Sequence, residues 1–189
     1  MGAIARQEAA TALRAAQTGD LSAARVHRAS AENAAHAARR DATQFQRLAR
    51  HTPDVTRADS AAAAAEATAA ERAVQLATNT VARDTRLSKV FTATSGTLNA
   101  EQFAYVTRVA LHRAHLPANW SISTLRKIVF AESSFQVQAH NGHYHGLYQM
   151  GVNPGRTAID ESMSGLSYIK GRYGSPEAAQ AHEIAHHWY

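Results

Sequence analysis

The chain has 189 residues, 45% of them apolar, with 20 Lys and Arg against 15 Asp and Glu for a formal net charge of +5, 11 His and no Cys. The missing cysteine excludes a disulfide framework and a thiolate metal site and leaves the redox compartment unread. No stretch approaches ~18 consecutive apolar residues, so no transmembrane helix is expected, and the basic balance alone speaks only to solubility and attraction to polyanions.

Much of the apolar fraction is alanine, which buries little area, so the core is expected where larger side chains gather, after Leu87. The opening residues, Met1 to Glu8, have no continuous apolar run, and no cleavable secretory signal is expected. From about Ala3 to Phe91 the chain is rich in Ala, Arg, Glu and Gln, all good helix formers, and Gly19 and Pro53 divide it into three helices. The first runs from about Ala3 to Thr18. Asp20 caps the second, which runs to about Arg50, and Thr52-Pro53 opens the third, to about Phe91. Large apolar residues are sparse here: Leu13, Leu21, Val26, Phe45, Leu48, Val74, Leu76 and Val81. A close, alanine-lined helical hairpin or coiled coil, marginal alone, is the expected form. The run Ala61 to Ala65 reads as a spacer helix or as a stalk docking on a wall, a virion or a secretion machine, or on its own kind. Arg39, Arg40, Arg47 and Arg50 could serve a nucleic-acid arm, but Glu8, Glu32, Asp41 and Glu66 interleave with the arginines. Phe45 offers no series of rings for bases, so no specific nucleic-acid partner is expected.

Thr92 to Asn99 is a polar break, dividing an extension over residues 1–94 from a compact domain over residues 97–189. Asn99 and Gln102 form a capping box for a helix that buries Phe103, Val106, Ala110 and Ala114 and ends at Leu116-Pro117. Trp120 follows, suited to packing or to stacking on a sugar. Beyond Ser121 or Ser123, Leu125, Ile128, Val129 and Glu132 fall at i, i+3, i+4 and i+7, so an apolar stripe ends in a carboxylate. Burial there raises the pKa until the group keeps a proton near neutrality, as a general acid requires. The alternative is a helix end whose Glu132 leans into water beside Ser133 and Ser134. After the loop Gly151 to Gly155, a helix from about Ile159 to Tyr173 buries Met163, Leu166 and Ile169. Gly174 stops it, and Ser175-Pro176 starts the last helix.

Ala131-Glu132-Ser133-Ser134-Phe135, a polar loop from Ala139 to His145, and Gly146-Leu147-Tyr148-Gln149-Met150 together resemble the catalytic core of soluble lytic transglycosylases of the lysozyme-like superfamily. The stretch Tyr168 to Ala179, with Trp188-Tyr189, is similar to the closing helices of the small actinobacterial and phage domains of that type. The resemblance covers residues 97–189 and none of the first half. It implies a mainly α, lysozyme-like domain that cleaves the MurNAc-GlcNAc β-1,4 bond of bacterial peptidoglycan without a cofactor. Such an enzyme reaches the wall by a phage virion, a lysis system or a non-classical route. Glu132 would be the acid, Gln149 a sugar contact and Ser133 an orienting neighbour. Tyr148 and Met150 would divide between core and cleft wall, and Tyr144 and His145 would narrow the cleft.

The pattern has departures. A second carboxylate placed as in hen-type lysozymes, about 17 residues on, would fall at Gln149, and the next ones are Asp160 and Glu161. That favours the transglycosylase route, in which the sugar's own C6 hydroxyl attacks and leaves a 1,6-anhydro end. The last-helix tyrosine of the family is absent from Ala181-His182-Glu183-Ile184, so His182 or another ring would replace it. His182-Glu183-Ile184-Ala185-His186 is also literally H-E-x-x-H, with two imidazoles one turn apart and Glu183 as base, the pattern of a zinc peptidase. Against it, no third ligand follows, and Ala178, Ala181, Ala185 and Trp188 make an apolar stripe that leaves the histidines on its flank. A non-catalytic wall- or virion-binding helical protein is the third reading.

Overall fold

The structure is a computed structural model of the chain, and it describes residues 1–50, 57–151, 155 and 157–186. It is mainly α: among the described residues the only strands are two residues long. Contacts divide the chain into two compact units, Met1–Thr85 and Arg86–Tyr189.

The first unit is built from α1 (Gly2–Gln17), α2 (Leu21–Leu48) and α3 (Arg57–Leu87), whose last residues pass the division. Gly19, at φ 81°, makes the reversal after α1, and the Asp20 carboxylate accepts the Ala23 N–H at 3.0 Å to cap α2. The proposed cap at Thr52-Pro53 lies outside the described residues. The helices meet in layers of alanine. Ala16 and Ala24 pack with Val81; Ala9, Ala12 and Ala31 with Ala77; Ala5 and Ala35 with Ala70; Ala38 and Ala42 with Ala67. Numbers fall along α1 and α3 as they rise along α2, so the order is up, down, up. A third helix thus closes what the sequence suggested as a hairpin. Of the larger apolar side chains, Val81 is buried and Leu13, Leu21 and Val74 pack partly buried against the layers, whereas Val26, Phe45, Leu48 and Leu76 are exposed. Glu8 and His27 join α1 to α2 at 2.7 Å, and Arg39 and Glu71 join α2 to α3 at 3.7 Å. Such partly exposed pairs are each worth at most about 1 kcal/mol and help set register more than stability.

The second unit begins where α3 tightens into a 3₁₀ turn, Ser88–Thr92. Its Phe91 stacks on Tyr105 with centroids 5.2 Å apart. The elements that follow are β1 (Gly96–Thr97), α4 (Ala100–Arg113), α5 (Ile122–Ser133), β2 (Gln136–Val137), β3 (His140–Asn141), β4 (Tyr144–His145), α6 (Ala158–Tyr173) and α7 (Pro176–His186). The polar break at Thr92 to Asn99 lies inside this unit, because β1 pairs antiparallel with β2, Gly96 opposite Val137. Asn99 and Gln102 form the expected capping box, with both bonds at 2.9 Å. Phe103, Val106, Leu111, Leu125, Ile128, Leu147, Leu166 and Ile169 are essentially inaccessible and form one core, against which Trp120 packs half-buried. Burying each such side chain stabilises the unit by roughly 1.5–3 kcal/mol. Gly165 lets α6 approach Tyr148, since a Cβ at that position would clash with the Cγ edge of the tyrosine ring.

The last helix turns differently from the sequence reading. Ala178, Ala181 and Ala185 are exposed, and Trp188 lies outside the described residues. The inward face carries Pro176 and Ala179, buried, with His182 and Glu183 half-buried. Pro176, Ala179 and Glu183 stand at i, i+3 and i+7, a stripe as regular as the one made by the exposed alanines.

Candidate active site

Glu132 occupies the last turn of α5. Leu125, Ile128 and Val129 bury one face of that helix completely, and Glu132, two turns beyond Leu125, is carried half into the protein. The helix stops immediately afterwards because Ser134 takes a left-handed conformation (φ 50°, ψ 35°), and Phe135 follows at φ 64°. α7 packs against α5. The Glu132 carboxyl is pushed up to about 7, first by burial and second by the negative charge of Glu183 on α7. Burial also raises Glu183 above the ordinary carboxylate range. Two carboxyls that share a partly desolvated space resist being ionised together, so one proton is retained near neutral pH.

The carboxyl whose charge reaches Glu132 is thus that of Glu183, on the last helix rather than at the start of α6. Asp160 is exposed and its carboxylate accepts the Thr157 hydroxyl at 2.6 Å. Glu161 turns into the core, 1% exposed, and accepts the Leu147 N–H at 2.8 Å. Sequence reasoning saw Glu183 only as the base of a zinc motif. The signal was present in its spacing from Pro176 and Ala179, the same argument that singled out Glu132.

The other expected residues fall in several places. The Ser133 hydroxyl donates to the Val129 carbonyl at 3.0 Å, a bond within its own helix. Tyr148, 1% exposed, and Met150, 8%, are both core. The Tyr148 phenol meets the Thr107 hydroxyl, and burial pushes its pKa up. Gln149 sits at φ 45°, and its side-chain amide donates to the Gly146 carbonyl at 2.9 Å. Tyr144 is exposed, with its ring beside Gly151. His145 is half-buried, its ring 4.6 Å from that of His140 across the β3–β4 pair. The His182 ring lies 5.2 Å from Tyr173 and 4.4 Å from His186. Among the described residues, no three His, Cys, Asp or Glu side chains converge as a metal ion would require.

Non-glycine residues at positive φ are His115, Ser134, Phe135, Gln138 and Gln149 among the described residues. All but the first lie in the stretch that follows Glu132. Each left-handed residue costs about 1–2 kcal/mol and persists only where surrounding contacts over-determine it, which happens most often around functional sites. No family model, curated protein or solved structure matches the chain.

Proposed function

We propose that the second unit is a lysozyme-like domain that cleaves the glycan strands of bacterial peptidoglycan at the MurNAc-GlcNAc β-1,4 bond, with Glu132 as proton donor. The observation that carries this reading is the half-buried Glu132 carboxyl, pushed up to about 7 at the end of an apolar stripe. Breaking a glycosidic bond requires a proton on the leaving oxygen as positive charge grows on the sugar ring. An ordinary surface glutamate has lost that proton at pH 7, whereas Glu132, pushed up to about 7, still retains it near neutrality. The ionised form left behind then takes a proton from the attacking oxygen.

In the transglycosylase route the attacking oxygen is the sugar's own C6 hydroxyl and the product is a 1,6-anhydro end. Exposed Tyr144 and half-buried His145, Gln149 and His182 are the side chains offered to the polymer, with Ser133 supporting the end of the helix. The proximity of Glu183 favours a second reading, hydrolysis, in which Glu183 acts as a base on water and the new end is reducing. The alanine-layered first unit would act as a stalk that brings the enzyme to the wall from a virion, a lysis system or a non-classical route.

Purified sacculi incubated with the protein and analysed by mass spectrometry test both readings. Wild type should release muropeptides, with anhydro or reducing ends distinguishing the two routes. Glu132→Gln should lower the rate by about 10²–10⁴-fold. Intact glycan after long incubation with wild type would overturn the assignment.

A further inference from the structure

The mechanism does not use the most deeply buried carboxylate in the second unit, Glu161. It stands in the first turn of α6, 1% exposed; among the described residues no Lys or Arg forms an ion pair with it, and its partners are backbone N–H groups. The Leu147 N–H donates to its Oε2 at 2.8 Å, and the Gln138 N–H lies close enough to the same carboxylate to favour its charged form against burial. Those two residues flank a neck. Between them the Gly146 N–H donates to the Ala139 carbonyl at 2.8 Å, and the short hairpin β3–β4 closes the loop above. Gln138 itself is held at φ 64°, and Gln149, two residues beyond Leu147, at φ 45°. Left-handed residues on both sides of a neck relax unless something fixed holds them, and a buried carboxylate bonded to the adjoining amides is such a fixture.

We propose that Glu161 is a positioning residue: its carboxylate clasps the neck of the 138–147 loop and thereby fixes the hairpin and the Gln149 backbone as the sugar-facing side of the site. This rests on the functional reading above for what the hairpin faces, though not for the clasp. A carboxylate is suited to the task because both its oxygens accept. A glutamine of the same shape accepts through one oxygen only and presents an NH₂ group that would meet a backbone N–H head on. Removing an acceptor oxygen inside the core leaves an amide unsatisfied, which is why the isosteric change is expected to matter.

The test uses the full chain, with wild type and Glu161→Gln followed by amide hydrogen exchange and by kinetics on soluble peptidoglycan oligomers. In wild type the Leu147 amide should exchange at least about tenfold more slowly than those of Asn141 and Gly142 in the loop above the neck. In the variant that protection should fall about tenfold or more. KM should rise about tenfold with kcat changed less than about threefold, and the alkaline limb set by Glu132 should stay where it is, a split that general loosening of the fold would not produce. Leu147 exchanging as fast as Gly142 in wild type would overturn the clasp, and this holds even if the variant fails to fold. Unchanged KM in a folded variant would overturn the positioning role. If wild type cleaves no glycan, the functional reading falls and takes the sugar-facing role with it, while exchange at Leu147 still decides the clasp.

Discussion

The two units bury different things. In the first, the fully buried layers are alanine with one valine, Val81; Leu13, Leu21 and Val74 only flank them, and Val26, Phe45, Leu48 and Leu76 face outward. In the second, phenylalanine, tyrosine, leucine and isoleucine fill one core that also encloses Glu161. All the non-glycine residues at positive φ among those described lie in the second unit. An alanine seam holds helices close but releases little free energy per residue, and the one buried carboxylate of the first unit among the described residues, Asp84, is paired with Arg83 at 2.7 Å. On the proposed function the chemistry belongs to the second unit and shape to the first, because the large-residue core has stability to set against Ser134, Gln138, Gln149 and three raised carboxyls, those of Glu132, Glu161 and Glu183.

The largest expected effect follows from that core. Leu166→Ala, at a fully buried position on α6, should destabilise the second unit by about 2–5 kcal/mol through lost transfer energy and the cavity left behind. Ala12→Leu, in the first unit's fully buried layer, should cost about 1–3 kcal/mol by overpacking. Thermal unfolding of the two variants, read with glycan cleavage per folded molecule, checks the contrast. Ala12→Leu should leave the per-molecule rate unchanged, and a large loss would show that the first unit takes part in the site.

A smaller effect concerns the cost of the acid itself. Folded Glu132 holds its proton up to about pH 7, whereas the unfolded chain releases it near 4.5. The folded state therefore binds more protons in that window, and stability is lost as pH rises from about 4.5 through 7. Glu132→Gln cannot ionise. It should match wild type at pH 4 and exceed it by about 1–2 kcal/mol at pH 8, after allowance for the side chain's partial exposure, in denaturant titrations at the two pH values. A constant difference across the range would mean that the carboxyl is not raised.

The smallest effect is the neighbour's. Glu183→Gln removes the like charge, so Glu132 should lose its proton at lower pH while burial still keeps it above an ordinary carboxylate. The rate at pH 8 should fall about two- to fivefold, with little change at pH 5. A severe loss at both pH values would instead mark Glu183 as the base of a hydrolase.

Much of this was legible residue by residue. The capping box at Asn99, the serine cap before α5, the glycine stop at Gly174 and the stripe ending in Glu132 all depend on neighbours within one turn, and short-range rules read them correctly. What escaped was any feature made by two distant segments. The fate of Glu161 depends on an amide 14 residues before it, and beside Gly142 and Gly146 the left-handed residues Ser134, Phe135, Gln138 and Gln149 are of types that do not announce that conformation.

The outline therefore follows from local chemistry: where helices start and stop, how the alanine-rich half differs from the rest, and which glutamate ends an apolar face. Which face of α7 turns inward does not follow from it. Ala178-Ala181-Ala185 and Pro176-Ala179-Glu183 are equally regular stripes, and alanine is too small to decide between them by its own burial. Packing against α5 made the choice, and by making it brought a second carboxylate to Glu132.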